Sequence, residues 1–160
     1  MIQRRAESPA GKISLRNMAK RYWDEIDTMK NQISVLVVDD EETPRDLLEK
    51  ILQDEGYRVE TAAGGEEALE KLRDDCYDLL ISDIEMPRLN GFELLRRAKH
   101  DRPDMPVIVM TTNGDSLSIK DCLLLGADEF ITKPFQSSEI NLVVERACWR
   151  LLSSRTTTAL

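Results

Sequence analysis

Residues 35–42 read VLVVDDEE: Val35, Leu36, Val37 and Val38 run straight into Asp39, Asp40, Glu41 and Glu42. An apolar run without alternation describes a strand buried on both faces, as in a parallel sheet covered by helices. The acids that follow are the puzzle. Crowded carboxylates repel, and each raises the pKa of its neighbours unless a cation sits among them. A strand ending this way carries the chain out of a core and delivers negative charge to the sheet edge.

The rest of the chain extends the pattern. Short β-branched runs at 33–39, 57–62, 79–83, 106–111 and 128–132 predict five strands. Between and after them lie helical segments. Thr43-Pro44 reads as a cap and first helical position, followed by the stripe Leu47, Leu48, Ile51 and Leu52 and a stop at Gly56. Helices are expected at 65–74 with Ala68, Leu69 and Leu72 inward, at 91–100 with Phe92 and Leu95 inward, and at 116–125, closed by Gly126. A last helix at 137–152 has Ile140, Val143, Val144, Ala147 and Leu151 at helical spacing. Five β-α units predict an open, doubly wound α/β fold. Such folds bind ligands outside the carboxyl ends of their strands.

The 160 residues carry a net charge of −8, unevenly placed. Residues 1–32 hold seven Lys/Arg and four Asp/Glu, whereas 33–160 hold fifteen and twenty-six. The acidic part argues against direct nucleic-acid binding, because phosphate backbones attract cations, and suits a divalent metal. No apolar run approaches membrane length, and no signal-peptide core is read at the N-terminus. Cys76, Cys122 and Cys148 are far apart, without zinc spacing, and read as reduced core thiols of a cytoplasmic protein. Residues 1–32 are expected to be a helical extension or linker, 33–152 the domain, and 153–160 a polar tail. Met18, Tyr22, Ile26 and Met29 give the extension an amphipathic helix, either packed on the domain or dimerising.

Under this fold the strand ends bring chemistry to one rim: Asp39 and Asp40 after the first strand, Asp83 after the third, Thr111 after the fourth and Lys133 after the fifth. Each alone reads as well as a turn, cap or surface residue; the conjunction carries the weight. Three carboxylates call for a hard cation with oxygen ligands, typically Mg²⁺. With the Lys133 ammonium and the Thr111 hydroxyl they form a cradle for a phosphoryl group.

The segments VLVVDDEETPRDLLEKIL, YDLLISDIEMPRLNGFELLRRAK, PVIVMTTNGD and GADEFITKPF, in that order, resemble the CheY-like receiver domains of two-component response regulators. The resemblance spans 34–152. It implies a flavodoxin-like three-layer (βα)5 sandwich with a five-stranded parallel sheet in the order 2-1-3-4-5. It implies that Asp83 is the phosphoacceptor and that Asp39, Asp40, Asp83 and the Glu85 backbone carbonyl hold Mg²⁺. Thr111 then contacts the phosphoryl oxygens, Lys133 pairs with Asp83 across a cis Lys133-Pro134 bond, and Phe130 is the aromatic switch. The implied partner is a sensor histidine kinase or phosphotransfer protein. The 116–125 helix, fifth strand and last helix would form the switching surface toward an unidentified output. The family itself is no enzyme in the ordinary sense, assisting only its own phosphorylation and dephosphorylation.

Two finer expectations follow. Glu85 and Asn113, each two residues past a site residue, are expected to tune autodephosphorylation. Leu117 and Leu124 sit seven apart in the 116–125 helix, away from an inward face of Ile119, Cys122 and Leu123. They are expected either to form an output or dimer surface or to be covered by an edge loop or the N-terminal helix. Two other functions compete: a phosphorylation-independent scaffold, and a haloacid-dehalogenase-type phosphotransferase. The latter has its nucleophile on an early strand and a cap domain that is not obvious here. The chain is read either as a stand-alone receiver or as part of a longer protein.

Overall fold

The computed structural model describes residues 14–112 and 116–158. Its elements are α1 (Leu15–Lys30), β1 (Ser34–Val38), α2 (Glu42–Asp54), β2 (Arg58–Ala62), α3 (Gly65–Asp74), β3 (Leu79–Asp83), α4 (Gly91–Asp101), β4 (Val107–Thr111), α5 (Ser116–Leu124), β5 (Glu129–Thr132) and α6 (Ser137–Thr158). The strands form one parallel sheet in the order β2-β1-β3-β4-β5. This is the flavodoxin-like order.

The strand sequences explain the layers. Successive side chains on a strand point to opposite faces. Val35, Val37, Leu79, Ile81, Ile108 and Met110 therefore share one face, packed under α2 and α6. Leu36, Val38, Leu80, Val107 and Val109 share the other, packed under α3, α4 and α5. The central strands β3 and β4 are buried along their whole length. The edge strand β2 alternates between exposed and covered residues, as a half-solvated strand should. Burying each Val, Leu or Ile contributes roughly 1.5–3 kcal/mol, so the two cores together supply most of the driving force.

Some local expectations are corrected. Helix α2 starts at Glu42, with Glu41 at the cap position and no side-chain cap. Thr43 is thus inside the helix. Pro44 is tolerated there because the first four helical N–H groups lack intrahelical partners anyway. Leu47 is exposed, while Leu48, Ile51 and Leu52 are buried. Leu123, expected inward, is also exposed, while Cys122 is buried as expected; Cys76, expected in the core, is exposed in the turn after α3. Helix α6 continues to Thr158, past the expected end at residue 152. Gly56 and Gly126 follow their helices at φ 100°, the left-handed stop that favours glycine.

Helix α1 packs on the domain at its C-terminal turn. Lys30 is buried and donates to Glu55 of the α2 C-cap and Glu145 of α6, each at 3.1 Å. Its ammonium also lies 5.7 Å from the Tyr57 ring centroid. Ile26 and Met29 are half-buried beside it. Tyr22, further up α1, stacks against Trp149 of α6, with ring centroids 5.3 Å apart.

Candidate functional site

The parallel order places the carboxyl ends of β1, β3, β4 and β5 side by side. Asp39 leaves β1 and is fully buried; Asp40, one residue on, is exposed. Asp83 closes β3 and Thr111 closes β4, both buried. One carboxylate oxygen each from Asp39, Asp40 and Asp83 lies within 4.8 Å of the others. Among the described residues, this is the cluster of three or more acidic or ligating side chains dense enough to hold a metal.

Lys133 reaches this cluster from the loop after β5. Its Nζ donates to Asp39 Oδ2 at 2.5 Å and Asp83 Oδ2 at 3.0 Å. The Lys133 N–H donates to the Thr111 carbonyl at 2.8 Å, which ties the loop to the end of β4. The Lys133-Pro134 bond is cis. Burial alone pushes the Asp83 pKa up, the Lys133 ammonium pulls it back, and Asp39 pushes it up again; the net direction is upward. Burial works against the Lys133 charge, but the hydrogen bonds to Asp39 and Asp83 win and raise its pKa. The four side chains Asp39, Asp40, Asp83 and Lys133 carry a formal excess of negative charge, which a divalent cation would balance. All the side-chain donors are oxygens, as a hard cation prefers.

The supporting contacts orient the acids. Asp39 Oδ1 accepts the Glu41 N–H at 2.9 Å, and Arg45 donates to the Asp39 carbonyl at 2.9 Å. Asp83 Oδ1 accepts the Glu85 N–H at 3.2 Å. Thr112 Oγ1 donates to the Glu85 carboxylate at 3.0 Å. Gly91 opens α4 directly beneath Asp83: a Cβ there would lie 2.2 Å from the Asp83 carbonyl oxygen and 2.5 Å from the Ile84 Cα. Arg45, Thr112 and Gly91 were not picked out by sequence reasoning as site residues. Only Gly91 had a usable signal, the Asn90-Gly91 helix start, where Asn90 Oδ1 accepts the Glu93 N–H at 3.0 Å.

The other sequence-derived positions scatter. Phe130 on β5 is 42% exposed. Leu124 is 85% exposed, so neither an edge loop nor α1 covers it. Asn113 lies outside the described residues, as does the side chain of Leu117.

The sequence pattern of the response regulator receiver domain matches residues 35–145. The chain belongs to that family. The receiver is 38% identical over 111 residues to the alkaline phosphatase synthesis transcriptional regulatory protein PhoP of Bacillus subtilis, covering 69% of this chain and 46% of that protein. Among solved structures, it superposes on NtrX from Brucella abortus with a TM-score of 0.76 at 35% identity, covering 79% of this chain and 29% of that one. Chemotaxis protein CheY4 of Vibrio cholerae gives a TM-score of 0.70 at 33% identity, covering 72% of this chain and 98% of that one. The receiver spans about half the length of the curated relatives it matches, or less. No helix among the described residues is long and apolar enough to cross a membrane.

Proposed function

We propose that this receiver takes a phosphoryl group from the phosphohistidine of a sensor kinase or phosphotransfer protein onto Asp83, and that the resulting aspartyl-phosphate changes how the domain meets an output partner. The observation that carries the reading is the pair of contacts from Lys133 to Asp39 and Asp83 within a three-carboxylate cluster. A phosphoryl acceptor needs a fixed carboxylate oxygen and positive charge where negative charge gathers. In the transfer, an Asp83 oxygen forms the new P–O bond while the P–N bond to the donor imidazole breaks, and the electron pair leaves with the imidazole. Lys133 holds Asp83 in place and neutralises the incoming group. Asp39, Asp40, Asp83 and the Glu85 carbonyl would hold Mg²⁺, which supplies further charge neutralisation. Family membership leaves no support for the haloacid-dehalogenase reading.

The donor has a place to approach. An open depression beside Lys133 is lined by Thr43, Pro44, Leu47, Thr112, Pro134 and Phe135. The exposure of Leu47 makes sense as part of an apolar rim for a helical, histidine-bearing partner. On the far side, Thr111 is poised to contact the phosphoryl oxygens, and half-exposed Phe130 to turn inward behind it. Phosphorylation adds charge and acceptor oxygens that such a two-state element can read. We assign Leu124, with Leu117, to the responding α5-β5-α6 surface, and Glu85 and Asn113 to the lifetime of the phosphorylated state. The cytoplasm is the compartment where such a kinase partner would meet it.

The test is intact mass after incubation with acetyl phosphate, with and without Mg²⁺, beside Asp83→Asn. The wild type is expected to gain one phosphoryl group only with Mg²⁺, and the variant none. A wild type that gains nothing overturns the proposal and leaves a phosphorylation-independent scaffold.

A further inference from the structure

A second cleft opens where α3 and α4 finish, toward the amino ends of the strands. Its volume is about 170 Å³. Leu72, Ala98 and Met105 are buried at its floor, with Leu69 half-buried beside them. Its rim is cationic: Arg73 from α3, Arg97 from α4 and Arg102 from the turn after it. Three guanidinium groups meet here in a domain whose acids outnumber its bases.

Cations often serve helix C-termini, where the dipole is negative. Arg102 does so. Its Nη2 donates to the carbonyls of Leu72 and Asp75, the latter at 2.8 Å. That pair of contacts fixes the group and leaves Nε and Nη1 without a partner among the described residues. Arg97 shares one carboxylate, Glu93, with Arg96; only the Arg97 Nε is engaged, at 3.0 Å. Arg73 makes no hydrogen bond or ion pair among the described residues. The acid of the lining, Asp101, has His100 beside it, with Oδ1 3.1 Å from Nδ1. Donors therefore exceed acceptors at this rim.

Guanidinium forks with spare N–H groups recognise planar carboxylates. The apolar floor calls for an uncharged body on the same molecule. The volume is below that of a drug-sized pocket, which limits the body to about one ring. We propose that the cleft between α3 and α4 binds a small organic carboxylate with a compact apolar body, its charge on Arg73, Arg97 and Arg102 and its ring on Leu72 and Met105.

Benzoate is the probe. In ¹H–¹⁵N spectra of the full chain at constant ionic strength, it is expected to move the amide signals of 69–73 and 97–105 saturably. Half-saturation is expected at about 1 mM, ordinary for so small a ligand. Benzyl alcohol keeps the ring and loses the charge; inorganic phosphate keeps the charge and loses the ring. Each should bind there at least tenfold more weakly. Combined Arg73→Gln and Arg97→Gln should weaken benzoate about tenfold by removing charge-assisted hydrogen bonds. Gln is as good a helix former as Arg, so signals away from the cleft should stay in place. Arg146→Gln, on α6 across the sheet, should bind benzoate as the wild type does. A benzoate titration that moves no signals there at tens of millimolar overturns the proposal. So does equal affinity for benzyl alcohol or phosphate, unchanged binding in the double variant, or displacement of benzoate by poly-glutamate at equal carboxylate concentration, which would make the cleft a site for acidic peptides.

Discussion

Two lysines in this molecule do superficially the same thing. Lys133 bridges Asp39 and Asp83 at the carboxyl ends of the strands; Lys30 bridges Glu55 and Glu145 at the opposite end of the domain. Both ammonium groups are nearly enclosed, and in both burial opposes a charge that two carboxylates restore. The difference lies in the surroundings. At the rim a third acid, Asp40, crowds the pair, and the acids come within ligand distance of one another. At the base, Lys30 stands between its carboxylates, and Glu55 and Glu145 are about one-third exposed, so solvent shares the load. One arrangement leaves negative charge unbalanced. The other is a tie.

The sharpest way to break this contrast is steric and acts at the rim. Gly91→Ala puts a Cβ against the backbone of Asp83 and Ile84, which has no flexible end to give way. Overpacking of this kind costs about 1–3 kcal/mol or more, and Asp83 should move with it. Urea denaturation should show the loss, and acetyl phosphate labelling should fall. Gly64→Ala is the control, because nothing lies within 4 Å of its added Cβ. If both variants unfold at the same urea concentration, the close approach at Gly91 is not a constraint.

Exchanging the two lysines' roles comes next. Lys30→Met should cost about 1–3 kcal/mol. Breaking a buried pair costs 3–5 kcal/mol, and the exposure of Glu55 and Glu145 reduces that. Phosphoryl uptake at saturating donor should be unchanged. Lys133→Met should do the reverse to function, abolishing uptake. Chemical denaturation and intact mass on both variants separate the two. Equal loss of uptake would mean that Lys30 is more than a tie.

The stored charge at the rim makes a smaller prediction of opposite sign. Asp83→Asn removes one of three crowded carboxylates, so without divalent cations it should stabilise the fold by ~1 kcal/mol, the usual scale for relieving a functional site. Millimolar Mg²⁺ should stabilise the wild type more than the variant. Thermal melts with and without the cation decide it, and a variant less stable than wild type in EDTA contradicts stored repulsion.

Legibility in the sequence followed the same divide. The rim could be read because each of its residues ends a strand or follows one within two residues, and the carboxyl ends of parallel strands converge. The bounds of α3 and β3 were read correctly for a related reason: Gly65 and Leu79 mark sharp changes of pattern. The Lys30 tie had no such signal. Its partners lie 25 and 115 residues away, on separate helices, and nothing in periodicity announces them. Helical spacing placed Cys122 inward correctly, but in the unbroken run Leu123, Leu124 and Leu125 it could not tell which leucine joins it, and Leu123, expected inward, faces out. Thr43-Pro44 imitated a helix start because Pro is acceptable anywhere in the first turn, not only at its first position.

Near neutral pH the smallest effect is a test of how α1 closes over the base. Cys148 is buried beneath α1, in a small cavity lined also by Tyr22, Ile26, Met29, Tyr57 and Trp149. Burial pushes its thiol up to about 12, against a partly offsetting hydrogen bond with Tyr57. Unfolded, a thiol titrates near 8.5. Between those values the unfolded chain loses the proton and the native chain keeps it. Stability should therefore fall as pH rises through that window, by up to about 1.4 kcal/mol per pH unit from this group. Cys148→Ala should flatten the slope, measured by urea midpoints across the alkaline range. Iodoacetamide should label exposed Cys76 quickly and Cys148 slowly. In Lys30→Met the Cys148 rate should rise, while that of Cys122, buried on the far side of the sheet, should rise only as far as global stability falls. Parallel acceleration of both thiols would mean that α1 opens only with the whole domain, and the tie would then belong to the core it was meant to join.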